Sequence, residues 1–248
     1  MKLIFLGLTV WLMVGITYGQ DTYSDDADSA YLSGDFLRAI ELYEAIIASS
    51  QYGEISYAIY FNLGQAYSQI GEWGEALVNY HRAYRLNPRD GDIAHRIATI
   101  RALRPDRYTE ESSLWVQIAQ LTSLFTRWEL ELFAILLWSF MWLIGIIFWR
   151  NNAYRRFLRY PLIVIVCVAC ALLILTISRV SLETSRPLAI LTSSTTEVFS
   201  GAGIDYFAMF SISEGAEMRV LEQSGIWAKI ELPDGRTGWV RISTITIV

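Results

Sequence analysis

The residues able to act as nucleophiles, bases or soft metal ligands are few, because the chain holds only two cysteines and two histidines. Cys167-Val-Ala-Cys170 sets two thiols at i and i+3, on one side of a helix, a spacing at which a membrane dithiol could relay electrons. The run around them is apolar, and a thiol in hydrocarbon keeps its proton and reacts slowly, so packing is the stronger reading of the pair. His81 and His95 fall in segments of helical pattern with no cysteine or serine partner, and solvent exposure is expected for both. Gly201-Ala-Gly203 precedes a strand pattern where a phosphate-binding loop needs a helix. No nucleophile–base–acid set emerges, so the expectation is a protein that is not an enzyme, with no catalytic residue, metal site or cofactor.

Other residues suit binding. Phe61, Asn62, Gln65 and Gln69 recur at 1, 3 and 4 on one helical segment, combining apolar area with amides that could hold an extended segment or a helix. Trp227 and Trp239 lie in a segment of period 2 and are read either as groove aromatics or as core. Arg150, Arg155, Arg156 and Arg159 crowd a short loop without acids.

The elements that must position these groups are set by composition. Apolar residues make up 53 % of the chain, charged residues 18 %, and mean hydropathy is +0.32, so some segments are expected in lipid. An aromatic content of 14 % excludes a disordered chain. A net charge of −5 leaves no basic surface for phosphates, so nucleic acid is excluded as a partner. Residues 1–19 read as a signal peptide, with Lys2, an apolar run and the small residues Thr17 and Gly19, or alternatively as an uncleaved anchor. Two uncharged apolar runs predict transmembrane helices over 131–149 and 161–179, each covering most of a hydrocarbon layer of about 30 Å. The arginine-rich loop between them, 150–160, is expected in the cytoplasm. Both flanking parts then face the other side of the lipid bilayer. Within 108–130 the stripe Leu114, Ile118, Leu121, Phe125, Trp128 predicts an amphipathic helix, lying on the membrane surface or packed on the preceding domain.

Over 20–107 the pattern is helical. Tyr60-x2-Leu63-Gly64-x2-Tyr67, Ala76-x3-Tyr80, Ala83 and Pro88 stand at the spacing of a tetratricopeptide repeat, and Gly34-Asp-Phe36-x2-Ala39-x3-Tyr43 repeats its second half. The segment therefore resembles an all-α solenoid of two repeats plus a polar capping helix at 91–103, with Phe61, Asn62, Gln65 and Gln69 in its concave groove. Two repeats are marginal for a stacked array, so docking on the membrane or a partner is expected. Over 186–248 the period switches to 2, with turns at Glu214-Gly215, Ser224-Gly225 and Pro233-Asp234-Gly235 and strands expected at 207–212, 217–222, 226–232, 238–241 and 243–248. Gly225-Ile-Trp227 and Asp234-Gly235-x2-Gly238-Trp239-Val240 resemble the bacterial SH3 family, a small all-β barrel, some members of which bind cell-wall peptides.

Signal peptide, repeats, amphipathic helix, membrane hairpin and SH3-like barrel in this order resemble the BatE family of the bacterial aerotolerance operon. That resemblance implies a two-pass protein of the bacterial inner membrane with both soluble domains outside the cytoplasm. It also implies a scaffold or adaptor in an envelope complex, in the company of von Willebrand A-domain membrane proteins and a MoxR-type AAA+ ATPase. Alternatives are a sensor that binds peptidoglycan through its SH3-like domain and a membrane dithiol redox protein.

Overall fold

A computed structural model describes residues 25–50, 55–104 and 185–248, together with helical residues at 129, 132–133, 135–140, 142–143 and 168. Among the described residues five helices precede the sheet: α1 (Asp25–Leu32), α2 (Phe36–Ser49), α3 (Tyr57–Ile70), α4 (Trp73–Leu86) and α5 (Gly91–Leu103). Their limits follow from local chemistry. Asp35, Ser56 and Asp90 accept bonds from first-turn amides of α2, α3 and α5, satisfying donors that have no partner inside a helix. Gly71 closes α3 at φ 85°, a left-handed conformation that side chains resist. Gly64 lies where α3 crosses α4, and a Cβ there would meet the Tyr80 ring at 2.9 Å.

Ala27, Ala39, Ile40, Tyr43, Ile59, Leu63 and Ala66 form one buried cluster between α1, α2 and α3. The first helix, α1, is acidic in its first turn, and Asp28 gives it a role: it accepts bonds from the Tyr43 hydroxyl and, at 3.1 Å, from the Asn62 amide.

Residues 188–247 form one antiparallel sheet in the order β3-β2-β6-β5-β4-β1-β7. Its strands are β1 (Leu188–Leu191), β2 (Thr195–Phe199), β3 (Ala208–Ser213), β4 (Glu217–Ser224), β5 (Trp227–Glu231), β6 (Thr237–Arg241) and β7 (Ile245–Ile247). The strands β1 and β2 come in addition to those expected from sequence, and Ser243 lies in a 3-10 turn at Ile242–Thr244 where strand was expected. Val198, Ile212, Met218, Val220, Ile230, Leu232 and Val240 fill the core. The fold is thus a helical unit followed by an antiparallel sheet unit.

Among the described residues, no helix is long and apolar enough to cross a membrane. The expected signal peptide 1–19, the helix at 108–130, most of both spans 131–149 and 161–179, and the loop with Arg150, Arg155, Arg156 and Arg159 lie outside the described residues, as does the pair Cys167 and Cys170. The six helical residues 135–140 turn through a full circumference. All are exposed except Leu137, which is half-buried.

Candidate functional site

The helical and sheet units meet along a seam built on β1. Its sequence Leu-Ala-Ile-Leu leaves no polar position, and alternation sends its side chains to two different cores. Ala189 and Leu191 point into the sheet unit's own core. Ile190 points the other way, into the cluster of Ala76, Leu77, Val78, Tyr80, Ala83, Ile93, Ile97 and Ile100 from α4 and α5, with Val248 packed beside it. One isoleucine buried this way stabilises the contact by roughly 1.5–3 kcal/mol.

Polar groups close the seam around that apolar contact. The first turn of α4 has no side-chain cap from Glu72. Its Gly74 N–H donates instead to the Glu214 carboxylate at 2.6 Å, an acceptor of favourable charge for a helix N-terminus. Gly74 must be glycine here, because a Cβ would lie 2.5 Å from the Leu191 carbonyl oxygen and 2.8 Å from the Thr192 Cα. At the end of α5, Arg104 donates to the Gly215 carbonyl at 2.7 Å.

Glu217 is the centre of the charge cluster. It opens β4 and is buried, with one oxygen 2.5 Å from His81 Nε2 and both oxygens bonded by Arg101 Nε and Nη2 at 2.7 and 2.9 Å. Arg104 lies 3.8 Å away. Burial alone would raise the Glu217 carboxyl, but the bond and charge of His81, then those of Arg101, outweigh it and hold the group at about 2. The expectation that His81 is solvated is therefore corrected, and α5 is no simple polar cap: Arg101 and Arg104 on it receive the sheet unit. A capped array of two repeats needed another surface. The chain's own second unit supplies it.

The residues proposed from sequence for the concave groove divide. Phe61, expected in the concave groove, packs on the Tyr80 ring at 5.7 Å between centroids and borders the α4–α5 cluster. Asn62 is engaged with Asp28. Gln65 is half-buried and Gln69 exposed, on the side of α3 away from Leu63. In the sheet unit, Trp227 is only 7 % exposed and meets Phe199 edge-on at 5.5 Å, with Arg241 over its ring. Trp239 is half-buried, paired with Phe199 across β2 and β6. The sheet unit instead shows water an apolar loop before β3: Ile204, Tyr206 and Phe207 are exposed, Phe207 at 70 %. Tyr206 stacks against Gly201, where a Cβ would lie 2.5 Å from its ring.

Sequence reading missed Glu217 and Ile190. The signal for Ile190 was present, since an unbroken apolar run in a strand marks burial on both faces. Glu217 carried none, because its cations lie on α4 and α5, far away in the chain. The arrangement holds two surfaces in one orientation.

No curated protein matches the chain. Residues 57–90, which span α3 and α4, match the tetratricopeptide repeat family, and residues 194–246, from just before β2 to β7, match the bacterial SH3 domain family. The chain therefore carries a tetratricopeptide repeat and a bacterial SH3 domain, which meet across a shared buried seam.

Proposed function

We propose that this chain is a non-catalytic scaffold of a bacterial envelope complex, anchored in the inner membrane by two passes, which binds protein partners through its repeat and SH3 units acting together. The observation that carries this reading is the seam. Ile190 and Glu217 bury one unit against the other, so the two binding surfaces are presented in a constant orientation. The same seam bears on topology. Both units must fold in one compartment, so any membrane passage between 104 and 185 occurs an even number of times, which agrees with a hairpin. The exposure of Ile135, Leu136, Trp138 and Phe140 supports lipid contact there, since apolar residues without a protein cover need another apolar medium. The arginine loop would then be cytoplasmic and both units extracytoplasmic.

By resemblance to the BatE family, the partners are von Willebrand A-domain membrane proteins and an associated MoxR-type AAA+ ATPase system. Contact is expected at Gln65 and Gln69 on the repeat and at Trp239 and Phe207 on the sheet unit. Photo-crosslinkers at Gln69 and Phe207, followed by mass spectrometry of native membranes, test this. Recovery of one partner at both positions supports a joint surface, and different partners at the two would refute it. The match to bacterial SH3 domains favours a second reading, in which the sheet unit binds peptidoglycan peptides. Retention of the full chain on purified sacculi, lost on Phe207→Ala, would replace the first reading with this one.

A further inference from the structure

The seam runs along α4 and α5, and a second polar contact lies at the turn that joins them. Arg89, in the turn between the two helices, grips Glu129 with both ends of its guanidinium, Nη1 to Oε1 at 3.0 Å and Nη2 to Oε2 at 3.1 Å. Glu129 is 16 % exposed in this contact and Arg89 57 %. Three and four residues beyond Glu129 the helical residues Leu132 and Phe133 are exposed. One helical turn rises 5.4 Å, and the headgroup layer on each side of a bilayer is roughly 5–8 Å thick. If Leu132 marks the edge of the hydrocarbon, Glu129 and the arginine that holds it are at headgroup depth. Leu86, the last residue of α4 and 47 % exposed, stands on the same turn with Arg85.

We propose that the α4–α5 turn is a phospholipid-headgroup contact, seated on the bilayer surface by the Arg89–Glu129 pair. Leu86 enters the interfacial layer, and the stems of Arg85 and Arg89 lie along it with their guanidinium groups at phosphate level, the arrangement long cationic side chains adopt at interfaces. Helices α4 and α5 then stand upright, with the Gly74 end of the seam roughly 20 Å above the membrane, about the rise of the fourteen-residue α4. This inference rests on the reading that the apolar run after Glu129 lies in lipid.

The test uses the full chain in phosphatidylcholine nanodiscs, with Cys167→Ser and Cys170→Ser as background and a bimane label on one introduced cysteine. With a nitroxide on the lipid headgroup, a label at Leu86→Cys is expected to lose much of its fluorescence, while one at Gln223→Cys on β4 keeps it. With the nitroxide deep in the acyl chain, a label at Leu143→Cys is expected to be quenched. Quenching at 143 without quenching at 86 overturns the headgroup contact and leaves the lipid reading standing. An absence of quenching at both overturns both. Arg89→Glu should abolish quenching at 86, and the charge swap Arg89→Glu with Glu129→Arg should restore it. Failure of the swap to restore it, in a chain whose helical signal is unchanged, overturns the role of the pair.

Discussion

The two sides of the second repeat meet opposite fates. On α3, Gln65 and Gln69 stay at the surface, half-buried and exposed. Across α4 and α5, Leu77, Val78, Ile93, Ile97 and Ile100 are buried in one cluster with Ile190, and His81 and Arg101 close on Glu217. Each side mixes apolar and polar residues, so amphipathicity alone does not separate a binding face from a packing face. What separates them is complementarity: the covered side has a glycine where backbone approaches, donors where a carboxylate arrives, and a hydrophobic gap that fits one side chain. The open side offers amides with no fixed counterpart among the described residues. An uncovered polar face is free to bind.

The sharpest way to break this contrast is to remove the seam's charge centre. Glu217→Ala leaves His81 and Arg101 without their carboxylate, and losing one partner of a buried ion cluster costs about 3–5 kcal/mol. The lower end is expected because Arg101 is 41 % exposed. Thermal unfolding of the full chain in detergent should then split into two transitions, one per unit. A single unshifted transition would show that the seam does not couple them.

Ile190→Ala deletes the apolar contact from the sheet side, with an expected loss of about 2–5 kcal/mol and ready proteolysis between the units. Unchanged protease resistance would refute it. Overpacking comes next. Gly74→Leu drives a side chain into the backbone of Leu191 and Thr192, while Gly64→Leu drives one into the Tyr80 ring; each should cost about 1–3 kcal/mol. The two differ in what they disturb. Gly74→Leu should part the units and leave each folded, whereas Gly64→Leu should lower the helical circular dichroism itself. The same signature from both would erase the distinction between the seam and the repeat's internal crossing.

Acidity sharpens the comparison further. Glu217 is held at about 2, below its ordinary 4.5, so the folded seam favours the ionised carboxylate. Its contribution is complete above pH 4.5 and is lost as the pH falls from there toward 2. Stability measured between those limits should fall less steeply in Glu217→Gln than in the parent chain, and parallel curves would argue that another group controls the acid response.

The smallest stability effect is expected on the open side. Gln65→Ala with Gln69→Ala should change stability by no more than about 0.5 kcal/mol. If that face holds a partner, the same pair should weaken partner recovery by more than about 1 kcal/mol per binding hot spot. Full recovery with an intact fold would move the binding surface to the SH3 unit, where Phe207→Ala is the corresponding test.

Local chemistry in the sequence determined much of this protein. The spacing around Gly64, Ala76 and Tyr80 specified a helix pair, because small residues at fixed offsets allow close crossing. Gly71, Asp90 and the Gly215 and Gly235 turns set element ends, because backbone sign and cap bonds depend on neighbours a few residues away. The helix at 91–103 and the shift to period 2 near Pro187 were equally legible. Tertiary structure alone decided that Phe61 and Asn62 serve packing and the Asp28 network, that Trp227 is covered, and that Gly74, His81, Arg101 and Glu217 belong to one seam. These residues come from elements more than a hundred positions apart, and the free energy of their meeting depends on distance, burial and mutual charge. None of those is carried by periodicity or motif, so a glutamate at the head of a strand and a histidine on a helix look solvated until the fold removes the water between them.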